Sequence, residues 1–229
     1  MEKLIREINQ KIYTFNILNS NRIEPIDGHK IYLYGIINIL AHLESNYVLT
    51  RQECISFCSE YLYLYPYTIT APRNYGEQYA QNRLKEFIPE LQVPTKVLDP
   101  NYSGQYDFWL DGIRIEVKSS RAVSRNVKGP LITRALQNNA NLAFDMNFQQ
   151  IKPDCCDVFV FIAEFMNETK FFVLSSDEVA HNKYYSIGQH RGNVGEGQLW
   201  LKESNIAEFE CYEVSVREIL DRIRQKGRK

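Results

Sequence analysis

No apolar run in this sequence approaches the roughly 20 residues that a membrane-spanning helix needs. No internal repeat and no low-complexity segment interrupts it, which sets repeat architectures aside. An apolar leader is also missing, because Met1–Ile12 is charged, and the expectation is a cytoplasmic protein with reduced thiols. The five cysteines (Cys54, Cys58, Cys155, Cys156, Cys211) form an odd set. They lack the short-spaced Cys and His pairs of a structural zinc site. Net charge is close to balance at −1, so total charge announces no polyanionic partner. One absence is local. From Val117 to Phe144 there is no acidic residue, while Lys118, Arg121, Arg125, Lys128 and Arg134 all lie there. The C-terminus, with Arg222, Arg224, Lys226, Arg228 and Lys229, is basic as well. Such stretches on a neutral chain suit a directed phosphate-binding face, or else a solvated face and tail.

What is present fits one sizeable domain, or a core with a smaller lobe: 229 residues, 44% apolar and 24% charged. Fifteen Tyr and twelve Phe favour an interior that contains a sheet. Residues 1–70 read as a helical N-terminal region that either reads DNA or buttresses the core. Leu4, Ile5, Ile8 and Ile12 mark one amphipathic stripe, and Ile36, Ile37, Ile39, Leu40 and Leu43 a second. Thr50 with Glu53 has the capping-box spacing. Beyond Pro66 and Pro72 a helix resumes from Tyr75 to Phe87, and prolines 89, 94 and 100 punctuate a loop. Strands are expected at 105–110 and 113–118, a polar helix around 130–147, and a strand pair at 157–165 and 170–175. A short helix at Ser176, a glycine-rich loop over 184–200 and a final helix begun at Ser215 complete the pattern. This order points to a mixed α/β domain over residues 71–229 with an open sheet.

The most informative segment runs from Gln105 to Lys118. Asp111-Gly112 is a strong signal for a two-residue hairpin, whose type I′ turn needs positive φ at both positions. With that turn Leu110 faces Ile113, and counting back sets Asp107 opposite Glu116. Alternation sends Phe108, Leu110, Ile113, Ile115 and Val117 to one face, all apolar, and Asp107, Trp109, Arg114, Glu116 and Lys118 to the other. Directly opposed carboxylates destabilise a sheet. A magnesium ion removes the conflict, since it is commonly held by one or two carboxylates together with substrate phosphate and water. Lys118 on the same face suits developing phosphate charge. Glu77, near the start of the preceding helix, is positioned to complete the ion's shell or to complement the helix dipole.

These residues resemble the PD-(D/E)XK nuclease superfamily, the fold of most type II restriction endonucleases. Its order is a glutamate on a helix, an acid on one strand, and acid-x-Lys on the next. Here that order reads Glu77, Asp107 and Glu116-Val117-Lys118, within residues 72–175. Tyr106 stands where the superfamily's eponymous proline would be. The resemblance implies a central mixed β-sheet flanked by helices and Mg²⁺ held by Asp107, Glu116 and Glu77. It also implies Lys118 as the catalytic lysine and hydrolysis of duplex DNA. Within that picture Ser119, Ser120, Arg121, Arg125 and Lys128 leave the active strand toward phosphates. Gln189, Arg191 and Asn193, in the glycine-rich loop, are candidate base readers. A palindromic site would call for a two-fold homodimer. A repair nuclease or junction resolvase of the same fold, and a DNA-binding module without catalysis, stay open as alternatives.

Overall fold

The computed structural model describes residues 2–19, 22–27, 30, 36–140, 142–188 and 196–227. Helices α1 (Glu2–Leu18), α2 (Ile36–Ser45) and α3 (Arg51–Tyr61) form the N-terminal region, followed by the short α4 (Tyr65–Thr68). The stripes read from the sequence are the buried sides of these helices. Leu4, Ile8 and Ile12 of α1 join Ile39, Leu40 and Leu43 of α2 in a common apolar cluster. The capping box forms as well, with Glu53 N–H donating to Thr50 Oγ1 at 3.2 Å and Thr50 N–H to Glu53 Oε2 at 2.8 Å. The Tyr67 hydroxyl then ties this region to the rest, donating to the Glu164 carbonyl at 2.7 Å and the Ala122 carbonyl at 3.1 Å.

Two sheets make up the remainder. The first contains β1 (Phe108–Leu110), β2 (Ile113–Arg121), β5 (Val158–Glu164), β6 (Thr169–Ser175) and β9 (Glu213–Val214), in the spatial order β1-β2-β5-β6-β9. It is a mixed sheet, because β2 and β5 run parallel while the other pairs are antiparallel. Central β5 is buried along its whole length. Its alternation sends Val158, Val160 and Ile162 into one cluster and Phe159, Phe161 and Ala163 into another. The branched side is covered by helices. Ala80 and Leu84 come from a helical segment that is π-type over Asn74–Gln81 and continues as α5 (Asn82–Phe87). Ile219 and Ile223 come from the last helix, α8 (Ile219–Gly227).

The phenylalanine side is covered by a second, antiparallel sheet of β3 (Val123–Ser124), β4 (Phe144–Ile151), β7 (Tyr185–Ile187) and β8 (Gly197–Lys202), ordered β3-β4-β8-β7. Helical residues reach this face as well, with Val179 of the helix Ser176–Ala180 and Phe209 of the 3₁₀ turn Ile206–Tyr212 in the same cluster. Two expectations are corrected here. The helix expected over 130–147 is confined to α6 (Leu131–Arg134), and Phe144 onward is strand β4. The reason is a period of two: Phe144, Met146 and Phe148 enter the inter-sheet core together with Leu199 and Leu201 of β8. Likewise, within 184–200 the described residues include strand β7 and the start of β8, paired antiparallel, where loop was expected, while 189–195 lie outside the described residues. Short α7 (Ser176–Ala180) begins after a capping box between Ser175 and Glu178, and a second box joins Ser215 to Glu218 ahead of α8.

Candidate active site

The β1–β2 turn decides the site's geometry. Asp111 and Gly112 have φ of 49° and 91°, the pair of positive values a type I′ turn requires. The ladder then runs Leu110 with Ile113, Trp109 with Arg114 and Phe108 with Ile115. Its continuation sets Asp107 across from Glu116, and Asp107 N–H donates to the Ile115 carbonyl at 3.0 Å. All five apolar residues of the hairpin enter the helix-covered cluster. The polar face turns toward the second sheet, where Trp109 packs on the inter-sheet core and Arg114 pairs with Asp157 at 2.8 Å.

Asp107, Glu116 and Lys118 share one wall of an open cleft of about 1130 Å³. The Lys118 ammonium sits 2.6 Å from Glu116 Oε1, and the Val117 N–H donates to Asp107 Oδ2 at 2.8 Å. Burial raises the proton affinity of Asp107, opposed by the Val117 N–H and by Lys118. Glu116 is pushed up to about 7, first by burial and then by the neighbouring Asp107 charge, although Lys118 pulls the other way. Each carboxyl perturbs the other, and a proton or a cation between them relieves the repulsion.

A magnesium ion fits this donor set. The pair supplies hard, closely placed oxygens, and the open cleft leaves room for the waters and phosphate oxygens that Mg²⁺ retains. Among the described residues no group of three His, Cys, Asp or Glu side chains is placed to hold a metal.

Glu77 lines the same cleft, but its half-exposed carboxylate pairs with Arg73 at 2.8 Å. Gln81, from the same helical segment, also lines the cleft, and its side chain favours the ionised form of Asp107. Gln81 was missed in the sequence because nothing in the spacing of a regular α-helix distinguishes it. The Asn74–Gln81 turns are π-type, and such turns recur at functional sites.

Ser119, Ser120 and Arg121 follow Lys118 along the cleft wall. Arg121 is already engaged within the fold. Its guanidinium donates to the carbonyls of Pro66 at 2.8 Å and Ile69 at 2.5 Å, and lies 4.0 Å from the Tyr75 ring centroid. Arg125, which does not line the cleft, is 2.8 Å from Glu203 and 3.1 Å from Asp145. Lys128 is exposed, also away from the cleft lining. Gln189, Arg191 and Asn193 lie outside the described residues.

Across the cleft stand Asp145, Asn147, Gln149, Gln150 and Trp200 from the second sheet, with Arg134 from α6. Arg134 donates to the Ser124 carbonyl at 3.1 Å. Three side-chain polar atoms are buried without a hydrogen-bond partner among the described residues: the Tyr75 hydroxyl, Asp145 Oδ1 and Asn147 Oδ1. All three belong to cleft-lining residues. Asp145 Oδ1 is 3.1 Å from Arg125 Nε but receives no aligned hydrogen bond, so the contact is electrostatic only. Buried unpaired polar atoms each cost about 1–3 kcal/mol, and their gathering at one cleft marks it off from the surrounding core. The sequence matches no protein-family model and no curated protein.

Proposed function

We propose that this protein is a magnesium-dependent endodeoxyribonuclease of the PD-(D/E)XK type. In this reading it hydrolyses phosphodiester bonds of double-stranded DNA at a specific sequence, as type II restriction endonucleases do. The observation that carries the proposal is the opposed, half-buried pair Asp107 and Glu116, with the Lys118 ammonium 2.6 Å from Glu116 on a cleft wall. A strand pair gains no stability from two acids set against each other. Divalent-cation chemistry gives the arrangement a use.

Asp107 and Glu116 would hold the ion, with the Val117 N–H and Gln81 orienting Asp107. When bound, magnesium neutralises phosphate charge and makes a coordinated water more acidic. Glu116 must first release the proton that burial and Asp107 hold on it. Lys118 favours that release and presents positive charge where the phosphate gains negative charge during attack. Ser119 and Ser120 offer hydroxyl donors to the adjacent phosphate backbone. A palindromic target would be cut on both strands by a two-fold homodimer.

Plasmid nicking tests the reading. Cleavage is expected with Mg²⁺, and loss of cleavage with EDTA and in Asp107→Ala. Cutting that survives Asp107→Ala removes the site. Ends that share one motif favour restriction, whereas scattered ends favour a structure-selective nuclease of the same type.

A further inference from the structure

We propose that the outward face of β4 is a nucleobase-reading wall, with Asn147, Gln149 and Gln150 supplying amide groups to base edges. The inference rests on the nuclease reading of the acid pair and names the part of the substrate which that reading leaves unassigned.

Strand alternation accounts for only part of the wall. Phe144, Met146 and Phe148 enter the inter-sheet core, so Asp145, Asn147 and Gln149 point the other way, into the cleft. Regular alternation would return Gln150 to the core. Instead the ladder slips: Phe148 pairs with Leu199 but Ile151 pairs with Gly197, so β4 carries one residue more than β8. The extra residue is Gln150, at φ 56°, a left-handed conformation uncommon outside glycine, asparagine and aspartate. Bulges of this kind re-aim side chains beside active sites. Here the bulge lets two consecutive glutamines line the cleft and still returns Ile151 to the core. A glycine would hold the same backbone without strain, so the glutamine side chain is what the position retains.

The wall's chemistry suits bases rather than phosphates. On β4 and β8 its lining side chains include neutral amides and Trp200, which stands opposite Asn147 in the ladder, while the neighbouring Arg134 of α6 is engaged on the Ser124 carbonyl. Its one carboxylate, Asp145, lies against Arg125. Asn147 Nδ2 is tied to Gln198 Oε1 at 3.0 Å, which fixes the amide and leaves Oδ1 as the unpartnered end. An amide offers a donor and an acceptor together, the pattern that pairs with the N6 and N7 edge of adenine. Lys118, Ser119 and Ser120 occupy the facing wall, on the phosphate side.

The test uses the Asp107→Ala chain, so that binding is measured without cleavage, with a random duplex DNA library and a salt titration. In that background Asn147→Ala, Gln149→Ala and Gln150→Gly are expected to flatten base preference at one or two positions, with adenine most affected. Affinity for the selected site is expected to fall about 5- to 150-fold per lost bidentate contact. The slope of log Kd against log salt should not change, since no phosphate contact is lost. Gln150→Gly is compatible with the bulge backbone and should melt no lower than its parent, which separates lost reading from lost folding. Unchanged preference in all three variants, or an altered salt slope, overturns the wall. Wild-type cutting in Mg²⁺ without any base preference also overturns it while the nuclease stands. Absence of both cutting and DNA binding in the wild type removes the nuclease reading and the wall with it.

Discussion

Asp107 lies across the β1–β2 ladder from Glu116, held there by its own N–H on the Ile115 carbonyl and by the Val117 N–H on its carboxylate. The first contact joins main chain to main chain and the second anchors the carboxylate on a main-chain donor of the facing strand, so the register of the hairpin sets where the side chain is held. The pair is therefore preorganised before any ligand arrives, which is what an electrostatic site requires.

The pair has a signature in stability against pH. Glu116 titrates from 4.5 in the unfolded chain to about 7 in the fold, so the native state binds more protons over that interval. Stability consequently falls as pH rises through the interval, by up to roughly 3 kcal/mol from this group. Magnesium offsets the loss only where the pair is ionised. Thermal melting should show a larger Mg²⁺-induced rise at pH 8 than at pH 5. Equal rises at the two pH values would contradict the assignment of the ion to this pair.

Glu116→Gln removes the repulsion while keeping the shape. Without added cation the variant should melt above the wild type at pH 8 and near it at pH 5. Its melting temperature should not respond to Mg²⁺, and cleavage should fall by at least about 10²-fold, on the scale of losing one electrostatic group from an active site.

Lys118→Met takes away the cation that favours release of the Glu116 proton. The alkaline-going rise of the pH–rate profile should therefore move to higher pH. The maximal rate should drop about 10²- to 10³-fold, with DNA affinity much less affected. A loss confined to affinity would make Lys118 a phosphate contact rather than part of the chemistry.

Gln81 and Glu77 separate along the same helical segment. Gln81→Ala should weaken Mg²⁺ binding about 10- to 100-fold, as measured by calorimetry, because it removes a partner of a ligating carboxylate. Glu77→Ala breaks only a solvent-facing pair with Arg73 and should leave melting close to wild type. The reverse ranking in metal affinity would return Glu77 to the ion's shell.

Arg121→Lys tests whether that guanidinium is structural. The planar fork serves two carbonyls and covers the Tyr75 ring, which an ammonium does not reproduce. The denaturation midpoint should fall by an amount equivalent to about 1–3 kcal/mol. An unchanged midpoint with weaker DNA binding would assign Arg121 to the substrate instead.

Much of the acid-bearing hairpin was legible in the chain because its determinants are local. Asp111-Gly112 selects the turn, the turn selects the register, and a period of two sorts acids from apolar residues. The capping box at Thr50 was legible for the same reason, since three residues separate cap from partner, and so was the helix start at Ser215. The stretch from 130 to 147 was misread because its polar residues masked the Phe144, Met146, Phe148 alternation, whose partners in β8 lie some fifty residues later.

What the chain determines by itself, then, is the acid pair, its lysine and the apolar reverse face, all within one hairpin whose geometry propagates from two turn residues. Only the tertiary structure decided that a second sheet covers one face, that Glu77 pairs with Arg73 while Gln81 also lines the cleft, and that a bulge aims both Gln149 and Gln150 into the cleft. Those features depend on packing between segments far apart in sequence, where no local propensity specifies the partner.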